Sequence, residues 1–596
     1  MIRPASMNTW KTANHLSANY WLLCCVTCLM LAALISGCAA PAHQRIVFHG
    51  GDIITMSGGQ ENVEAVLVED SKIISVGTKS EVFKNVTRAT RDVNLNGNTL
   101  MPGFIAVHTH PDLEAYLYGF VDLSGFTHKT PEEVWSALRK AVQEAKPGQW
   151  IFCRGFDPML VPGLRAPDIT FLDSIAPNNP VLILAQSMHS SWVNTKAFEK
   201  MGITAGTPDP APGSYYEKDS QGKLTGFVAE TVAIGTVAAD VPRVFDIKDN
   251  VSKVNDVYPT NGITSITTMG LMTSNSFILY EYLATDHPTL MHWALNLIGM
   301  LPGKKPAVRH FMYIKPAMPS LIPGNVENGD DFFKVVGIKL WYDGSPYTGS
   351  MYLKEPYLVS DLTTKGLGIP PGSRGSSVMK KQEFYDTVKK YHDLGWQVSV
   401  HSQGDHSTKE VMNAFEDIQS KSAARNLRHR IEHAVMLSPE MQVKMKQLSM
   451  TPSFHINHLY YYGKALKYDI LGAKRADTML PANSSRENGL YISLHADEPM
   501  FPEKPLSLLQ TAVTRQTRQG ETIGAGEALS VMEGLKALTI NAAWQLNMET
   551  KIGSIEPGKY ADLVILDKNP LKAAPQSLGD IQVLNTFVSG REVWKR

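Results

Sequence analysis

Cysteine is scarce: there are five in 596 residues, and Cys24, Cys25, Cys28 and Cys38 crowd the beginning of the chain. Only Cys153 stands in the body, so neither an internal disulfide framework nor a thiolate zinc cluster can be built there. Cys153 lies in the run WIFCRGF and reads as a small buried hydrophobe, not a nucleophile. Net charge is also lacking, because 57 Lys+Arg balance 57 Asp+Glu. That excludes binding by bulk phosphate neutralisation, and no nucleic-acid partner is expected. No run of like charge marks an interaction tail, and no short repeat or low-complexity tract marks a solenoid. Apolar residues, by contrast, are plentiful. At 43% hydrophobic against 19% charged, the chain can bury a large core, which excludes wholesale disorder. At about 150 residues per domain the length allows about four domains, or one α/β barrel with additions.

The beginning of the chain carries a long hydrophobic run, YWLLCCVTCLMLAALISG from Tyr20 to Gly37, preceded by Arg3, Lys11 and no acid. This reads as the apolar region of an export signal; its length also reaches the edge of a membrane span, so an uncleaved anchor is the alternative. The segment LISGC, Leu34 to Cys38, resembles a bacterial lipobox and favours the signal. Residues 1–37 would then be removed, and Cys38 would carry lipid. The mature protein would sit in the bacterial cell envelope, held by acyl chains without spanning the bilayer. Ala39, where an Asp would retain the protein at the inner membrane, points by analogy to the outer membrane facing the periplasm. The start codon is Met1 or Met7.

Beyond a short linker, brief β-like runs at Arg45–His49, Ala65–Val68, Lys72–Val76 and Val93–Leu95 are separated by Gly, Asn and Asp turns. A matching set closes the chain at Leu563–Leu566, Leu584–Val588 and Arg591–Trp594. Both ends, 45–100 and 551–596, are expected to pair into one small β-sandwich domain. Between them lie eight further runs: Phe104–His108, Ile263–Met269, Trp293–Ile298, Ile338–Asp343, Gln397–His401, Arg430–His433, Thr451–His455 and Tyr491–Asp497. Helical patterns such as Lys381–Leu394, Lys409–Lys421 and Pro439–Leu448 lie among them. Eight strands alternating with helices predict an α/β fold, a (β/α)8 TIM barrel over 101–500 whose working face is the strand C-termini, with a helical part at 501–550. The gap from His108 to Ile263 far exceeds what a βα unit needs, so residues 113–225 are expected to form a large insertion after strand 1.

Most of these runs end near His, Lys or Asp. His108-Thr109-His110 closes the first, and alternate side chains of a strand share a face, so both imidazoles can approach one cation. Lys339 lies inside the apolar run GIKLW, where an unpaired ammonium must be neutralised, paired or modified. His401, His433 and Asp497 each end a run. Taken singly, each has a bland reading: a packing histidine, a structural ion pair, a loop carboxylate. Together they can be gathered on one barrel rim.

These segments are similar to the amidohydrolase superfamily, specifically its YtcJ-like (amidohydrolase family 3) branch. The matching pieces are PGFIAVHTH (102–110), VGIKLWYDGSPYTGSMYLKEPY (336–357), WQVSVHSQGD (396–405), RHRIEHA (428–434), PSFHINHLYYYG (452–463), ISLHADEP (492–499) and GSIEPGKYADLVILD (553–567). The insertion matches through RGFDP (154–158), PVLILAQSMHSSWVN (180–194) and GFVAE (226–230). The resemblance implies a small-molecule substrate and a divalent metal centre of one or two ions, zinc first. His108, His110 and Asp497 would hold the more buried ion, and His401 and His433 a second. Lys339 would bridge them as N6-carboxylysine, or stay unmodified beside a single ion. Asp497 would take a proton from a metal-activated hydroxide or water and return it to the leaving nitrogen of an amide.

His455 stands where many relatives carry Gln and is expected to touch the substrate or transition state. His189 in the insertion and Tyr462 in the NHLYYYG run are substrate-contact candidates, although a structural histidine and packed tyrosines fit equally well. The same site could attack an ester, lactone or phosphotriester. A non-catalytic, surface-tethered binding lipoprotein is the rival of a different class. A homo-oligomer is compatible with all of these readings.

Overall fold

Runs rich in Val, Ile, Phe and Thr, buried along their whole length, make the central sheet, as expected for parallel strands covered on both faces. The computed structural model describes residues 44–58, 63–211, 213–241, 247–286, 288–302, 308–422 and 426–596. The segment expected to be an export signal and Cys38 lie outside the described residues. The eight parallel strands are β1 (Phe104–Thr109), β2 (Ile263–Met269), β3 (Arg309–Ile314), β4 (Phe333–Trp341), β5 (Gln397–Ser402), β6 (Arg430–His433), β7 (Thr451–Phe454) and β8 (Ser493–Leu494). They pair in sequence order from β1 to β8, giving a nearly closed TIM-like barrel. The register sets Lys339 beside Ser399, Ser399 beside Arg430, and His401 beside Glu432. Chemistry-bearing residues of three neighbouring strands thus stand at matched heights.

One expected strand is wrong. Trp293–Ile298 is not the third barrel strand: Leu290–Leu297 is a helix whose N-cap, Thr289, accepts a hydrogen bond from the His292 amide. Its Trp293 and Leu297 are 60% and 71% exposed. The third strand is the fully buried RHFMYI, Arg309–Ile314. A short apolar run does not by itself distinguish helix from strand, and here the Thr289 cap decides it. The eighth strand is also shorter than expected, ending at Leu494, so that His495 and Asp497 lie on the loop beyond it.

Between β1 and β2 the chain builds a six-stranded sheet whose strands run from Val121–Asp122 to Leu224–Ala229, with helices Pro131–Glu144, Ile169–Ile175 and Thr195–Met201 among them. The last strand reaches Ala229, past the expected boundary at 225. Cys153 is buried in this sheet, where burial pushes its thiol up and leaves it unreactive. Among the described residues no helix is long and apolar enough to cross a membrane.

The chain ends supply two sheets. One has four strands: Arg45–His49, Ala65–Glu69, Lys72–Gly77 and Arg91–Asn94. The other joins Asp52–Ile53 and Thr99–Pro102 to Leu563–Leu566, Val583–Val588 and Arg591–Lys595. Phe48, Val66, Leu563 and Phe587 belong to one core between them, with Phe48 and Phe587 edge to face at 5.2 Å.

A buried ion pair ties this module to the barrel. Arg309 of β3 meets Asp562 through Nε–Oδ2 at 2.6 Å and Nη2–Oδ1 at 3.1 Å, and Nη2 also donates to Ser589 Oγ. The guanidinium lies between the rings of Phe332 and Tyr560. Removing one partner strands the other charge in the interior. Asp562→Ala is expected to cost about 3–5 kcal/mol in urea unfolding. A loss below 1 kcal/mol would show that Arg309 finds water instead.

Candidate metal centre

The C-terminal rim of the barrel gathers most of the expected ligands. His108 is the last residue but one of β1, and His110 directly follows the strand. Asp497 Oδ1 lies 3.1 Å from His108 Nε2 and 3.2 Å from His110 Nε2. Yet Asp497 Oδ1 is buried with no hydrogen-bond partner, so these short approaches lack hydrogen-bond geometry. Ligand atoms around a tetrahedral ion with bonds of ~2.0–2.1 Å stand ~3.3 Å apart, close to the spacings seen. The donor set and its spacing therefore fit a divalent cation. Burial works against the Asp497 carboxylate, but the contacts with His108 and His110 hold it well below the usual range.

Backbone strain aims two of these groups. Strict strand alternation would put Glu432 and His433 on opposite faces. His433 has φ +69°, in the left-handed region, and Ala434 has φ +47°. Asp497 has φ +60°. Non-glycine residues at positive φ are costly, and here they turn side chains toward the shared centre.

Glu432, inside the RHRIEHA segment, is not among the expected site residues, and it proves central. It is wholly buried and lies 2.6 Å from His108 Nδ1. It also accepts from Ser399 Oγ at 2.7 Å and Arg430 Nη2 at 3.1 Å. Burial alone would raise its pKa, but Arg430 and then His108 hold it well below the usual range. With Nδ1–H donated to this carboxylate, His108 presents the Nε2 lone pair to the metal locus. The i, i+2 spacing of Arg430 and Glu432 was the available signal, since it puts both on one face of β6.

Lys339 reaches the same point, with Nζ 3.4 Å from His108 Nε2. Burial lowers its pKa to about 8, against the pull of Glu432 and Asp497. His401 sits apart from the tightest groups. Its Nδ1 lies 3.2 Å from Asp343 Oδ1 and its Nε2 3.2 Å from Gln403 Nε2. His433 approaches it, ring centroids 4.3 Å apart.

His/Asp donors close enough to share an ion fall into three groups among the described residues: His108–His110–Asp497, His108–His433–His495, and His433–His455–His458. His495 and His458 were not anticipated. His495 stacks on His108 at 4.4 Å. Its spacing of two from Asp497 was a legible hint. Burial lowers the pKa of His110, His401, His433, His455, His458 and His495, leaving them neutral donors.

The centre floors a cavity of about 390 Å³. His189 lines it, with Nδ1 2.8 Å from Glu230 Oε2. Burial opposes charge on His189, but Glu230 outweighs it and raises the imidazole pKa. The insertion supplies apolar wall through Leu117, Phe120, Leu184, Met188 and Ile234. Tyr462 is not among the lining residues. It is buried, its hydroxyl bonds Asp157, and its ring packs against Tyr347 at 4.4 Å. The structure thus gives Tyr462 a packing position and no place in the cavity wall, because its helix turns it toward the insertion loop. Tyr461 likewise stacks on Phe501.

Because Glu432 holds the His108 tautomer, Glu432→Gln is expected to weaken metal affinity about 10–100-fold. Chelator competition on the purified chain measures this; unchanged affinity would remove Glu432 from the centre.

Known proteins resemble this chain over most of its length. A family model described as the amidohydrolase family matches residues 91–594. The N-substituted formamide deformylase of Arthrobacter pascens is 27% identical over 548 residues, covering 90% of this chain and 96% of its own. The protein YtcJ of Bacillus subtilis (strain 168) is 26% identical over 566 residues, covering 93% and 100%. The crystal structure of an uncharacterized metal-dependent hydrolase from Pyrococcus horikoshii superposes with a TM-score of 0.66 at 22% identity, covering 89% of this chain and 99% of that one. At that identity the likeness speaks for the fold. With most of its length matched and a buried His/Asp cluster suited to a divalent ion, the chain belongs to the amidohydrolase family, in its YtcJ-like branch.

Proposed function

We propose that the protein hydrolyses a non-peptide, amide-type carbon–nitrogen bond of a small molecule. The observation that carries this reading is Asp497 Oδ1, unsatisfied by hydrogen bonds and set against Nε2 of both His108 and His110. A carboxylate with two imidazoles suits zinc, and manganese or iron would also be held. When bound, a divalent ion supplies Lewis acidity, polarising the carbonyl and making water a better nucleophile.

The chain's own groups do the rest. Asp497, held ionised, accepts the proton of the attacking water. It then returns that proton to the leaving nitrogen, because an amine cannot depart as an anion. His455 donates Nε2–H to the Ala496 carbonyl at 2.8 Å, which leaves Nδ1 as an acceptor 4.0 Å from Asp497 Oδ2. It is placed to orient the water or the substrate. His189, steadied by Glu230, faces the cavity and can donate to a substrate oxygen. Burial lowers the Lys339 pKa to about 8, so more of it is free amine for CO2 carboxylation than in an ordinary lysine, and the N6-carboxylate would replace a costly ammonium with a ligand.

The A. pascens relative makes N-substituted formamides the first substrates to test, and the apolar insertion wall suits an apolar N-substituent. We expect turnover of such amides to exceed that of matched esters and to vanish on chelation, returning with zinc. Asp497→Asn should lower kcat by about 10²–10⁴-fold with the fold intact. Faster ester or phosphotriester cleavage would reassign the substrate, and near-normal turnover in the variant would sink the acid–base role.

We further propose that Cys38 is lipidated and tethers the enzyme to the cell envelope. The support is the LISGC segment after the apolar run. In a bacterial host, Cys38→Ala should shift the protein from the membrane fraction to the soluble one; an unchanged membrane fraction would favour an uncleaved anchor.

A further inference from the structure

The helix Leu290–Leu297 is built inside out. Its Leu290, Trp293, Ala294 and Leu297 follow the i, i+3, i+4, i+7 spacing of an apolar stripe, which a soluble helix turns toward the core. Here the stripe faces outward: Leu290, Trp293 and Leu297 are 87%, 60% and 71% exposed. The inward position belongs to His292, which is buried with Nε2 3.4 Å from Glu281 Oε2. Met291, Ile298 and Met300 are also more than half exposed. Between Asp286 and Lys304 the sequence has no Asp, Glu, Lys or Arg. Exposed apolar side chains scattered singly need no explanation, but six within the eleven positions from Leu290 to Met300 mark a docking surface.

The place of this surface in the fold selects its occupant. Ile46, in the first strand of the chain, pairs with Arg91, and Arg91 Nη2 lies 2.5 Å from Glu592 Oε2. The neighbouring Arg591 reaches Asp286 Oδ1 at 2.7 Å, three residues before the Thr289 cap of the exposed helix. Two ion pairs thus join the chain's entry into the fold to this surface. Seven residues, 39–45, separate Cys38 from Ile46, a reach of at most ~29 Å when fully extended. An acylated Cys38 would therefore keep this edge of the protein at the bilayer. A second copy of the chain fits less well. An eight-residue helix is ~12 Å long and ~10 Å across, far short of the ~800 Å² per partner that a stable interface buries. A lipid surface has no such minimum.

We propose that the helix Leu290–Leu297 lies in the surface of the membrane that carries the anchor, with Trp293 and Leu297 among the acyl chains. A tryptophan suits that boundary, since its ring is apolar and its N–H is polar. Lys248 Nζ lies 3.1 Å from the Gly299 carbonyl at the helix end, where an ammonium meets anionic headgroups. Six side chains on a short helix bind reversibly, so the acyl chains hold the enzyme and the helix fixes which way it faces. That orientation reaches the substrate cavity. The helix Ile247–Asn255, which carries Lys248, bonds the helix Pro111–Leu117 through Asn250 Nδ2 and the Ala115 carbonyl at 3.1 Å. Leu113, Tyr116 and Leu117 of that second helix line the cavity. The proposal rests on the reading that Cys38 is acylated, and not on the hydrolase reading.

The test is tryptophan fluorescence of the full chain, as processed by a bacterial host, in vesicles of phosphatidylethanolamine and phosphatidylglycerol with and without bromine on the acyl chains. Bromolipid should quench wild type, and Trp293→Phe should lose most of that quenching. Leu297→Glu keeps the Trp293 ring but charges the apolar face, so it should lose the quenching too, with an unchanged melting temperature as the check on its fold. Quenching that ignores Trp293 overturns the proposal, whether that ring is left in water, covered by a second copy, or covered by an uncleaved run 20–37. Mass spectrometry of the N-terminal peptide reports acylation independently. An acylated chain whose quenching ignores Trp293 overturns the docked helix and leaves the anchor standing. A chain without the acyl group overturns the anchor, and the helix then stands or falls on its own quenching.

Discussion

The centre depends on keeping a carboxylate charged in the interior. Glu432 is wholly buried, and its charge survives because Arg430, Ser399 and His108 all meet it. The same contacts fix the tautomer of its neighbour. With Nδ1–H given to Glu432, the other nitrogen, Nε2, is the one His108 turns toward Asp497 and Lys339. An unpaired carboxylate there would be prohibitively costly, so the network is satisfied as a whole or not at all.

Around that core, the barrel brings strand ends together and bent backbone does the aiming. His433 and Asp497 adopt positive φ, which regular strand geometry forbids to most side chains. The six-stranded insertion then lines one side of the cavity with apolar side chains, so a polar floor meets an apolar wall. Apolar walls around a polar floor lower the local dielectric, which strengthens the electrostatic interactions there.

How much of this was legible depends on the kind of signal. His108, His110, Lys339, His433 and Asp497 could be picked out because each is a polar residue within or at the end of an apolar run. The module made by both chain ends was readable from alternating runs such as Arg45–His49 and Leu563–Leu566. Trp293–Ile298 misled, because an apolar hexamer carries no periodicity that separates a buried strand from an exposed helix. Tyr462 differs from its expected place for another reason: the direction of each of three consecutive tyrosines on a helix is decided by packing, which sets Tyr461 on Phe501 and Tyr462 on Tyr347.

The residues alone determined the barrel class, the presence of an insertion, and several of the imidazoles and the carboxylate that could meet a cation, though not His458 or His495. These come from local pattern, which needs no knowledge of distant neighbours. The tertiary structure alone decided which nitrogens are free. Whether His401, His455 or His458 has an open lone pair depends on partners at Asp343, Ala496 and Tyr347, brought near by folding. Donor availability is a property of three-dimensional neighbours, and no spacing along the chain encodes it.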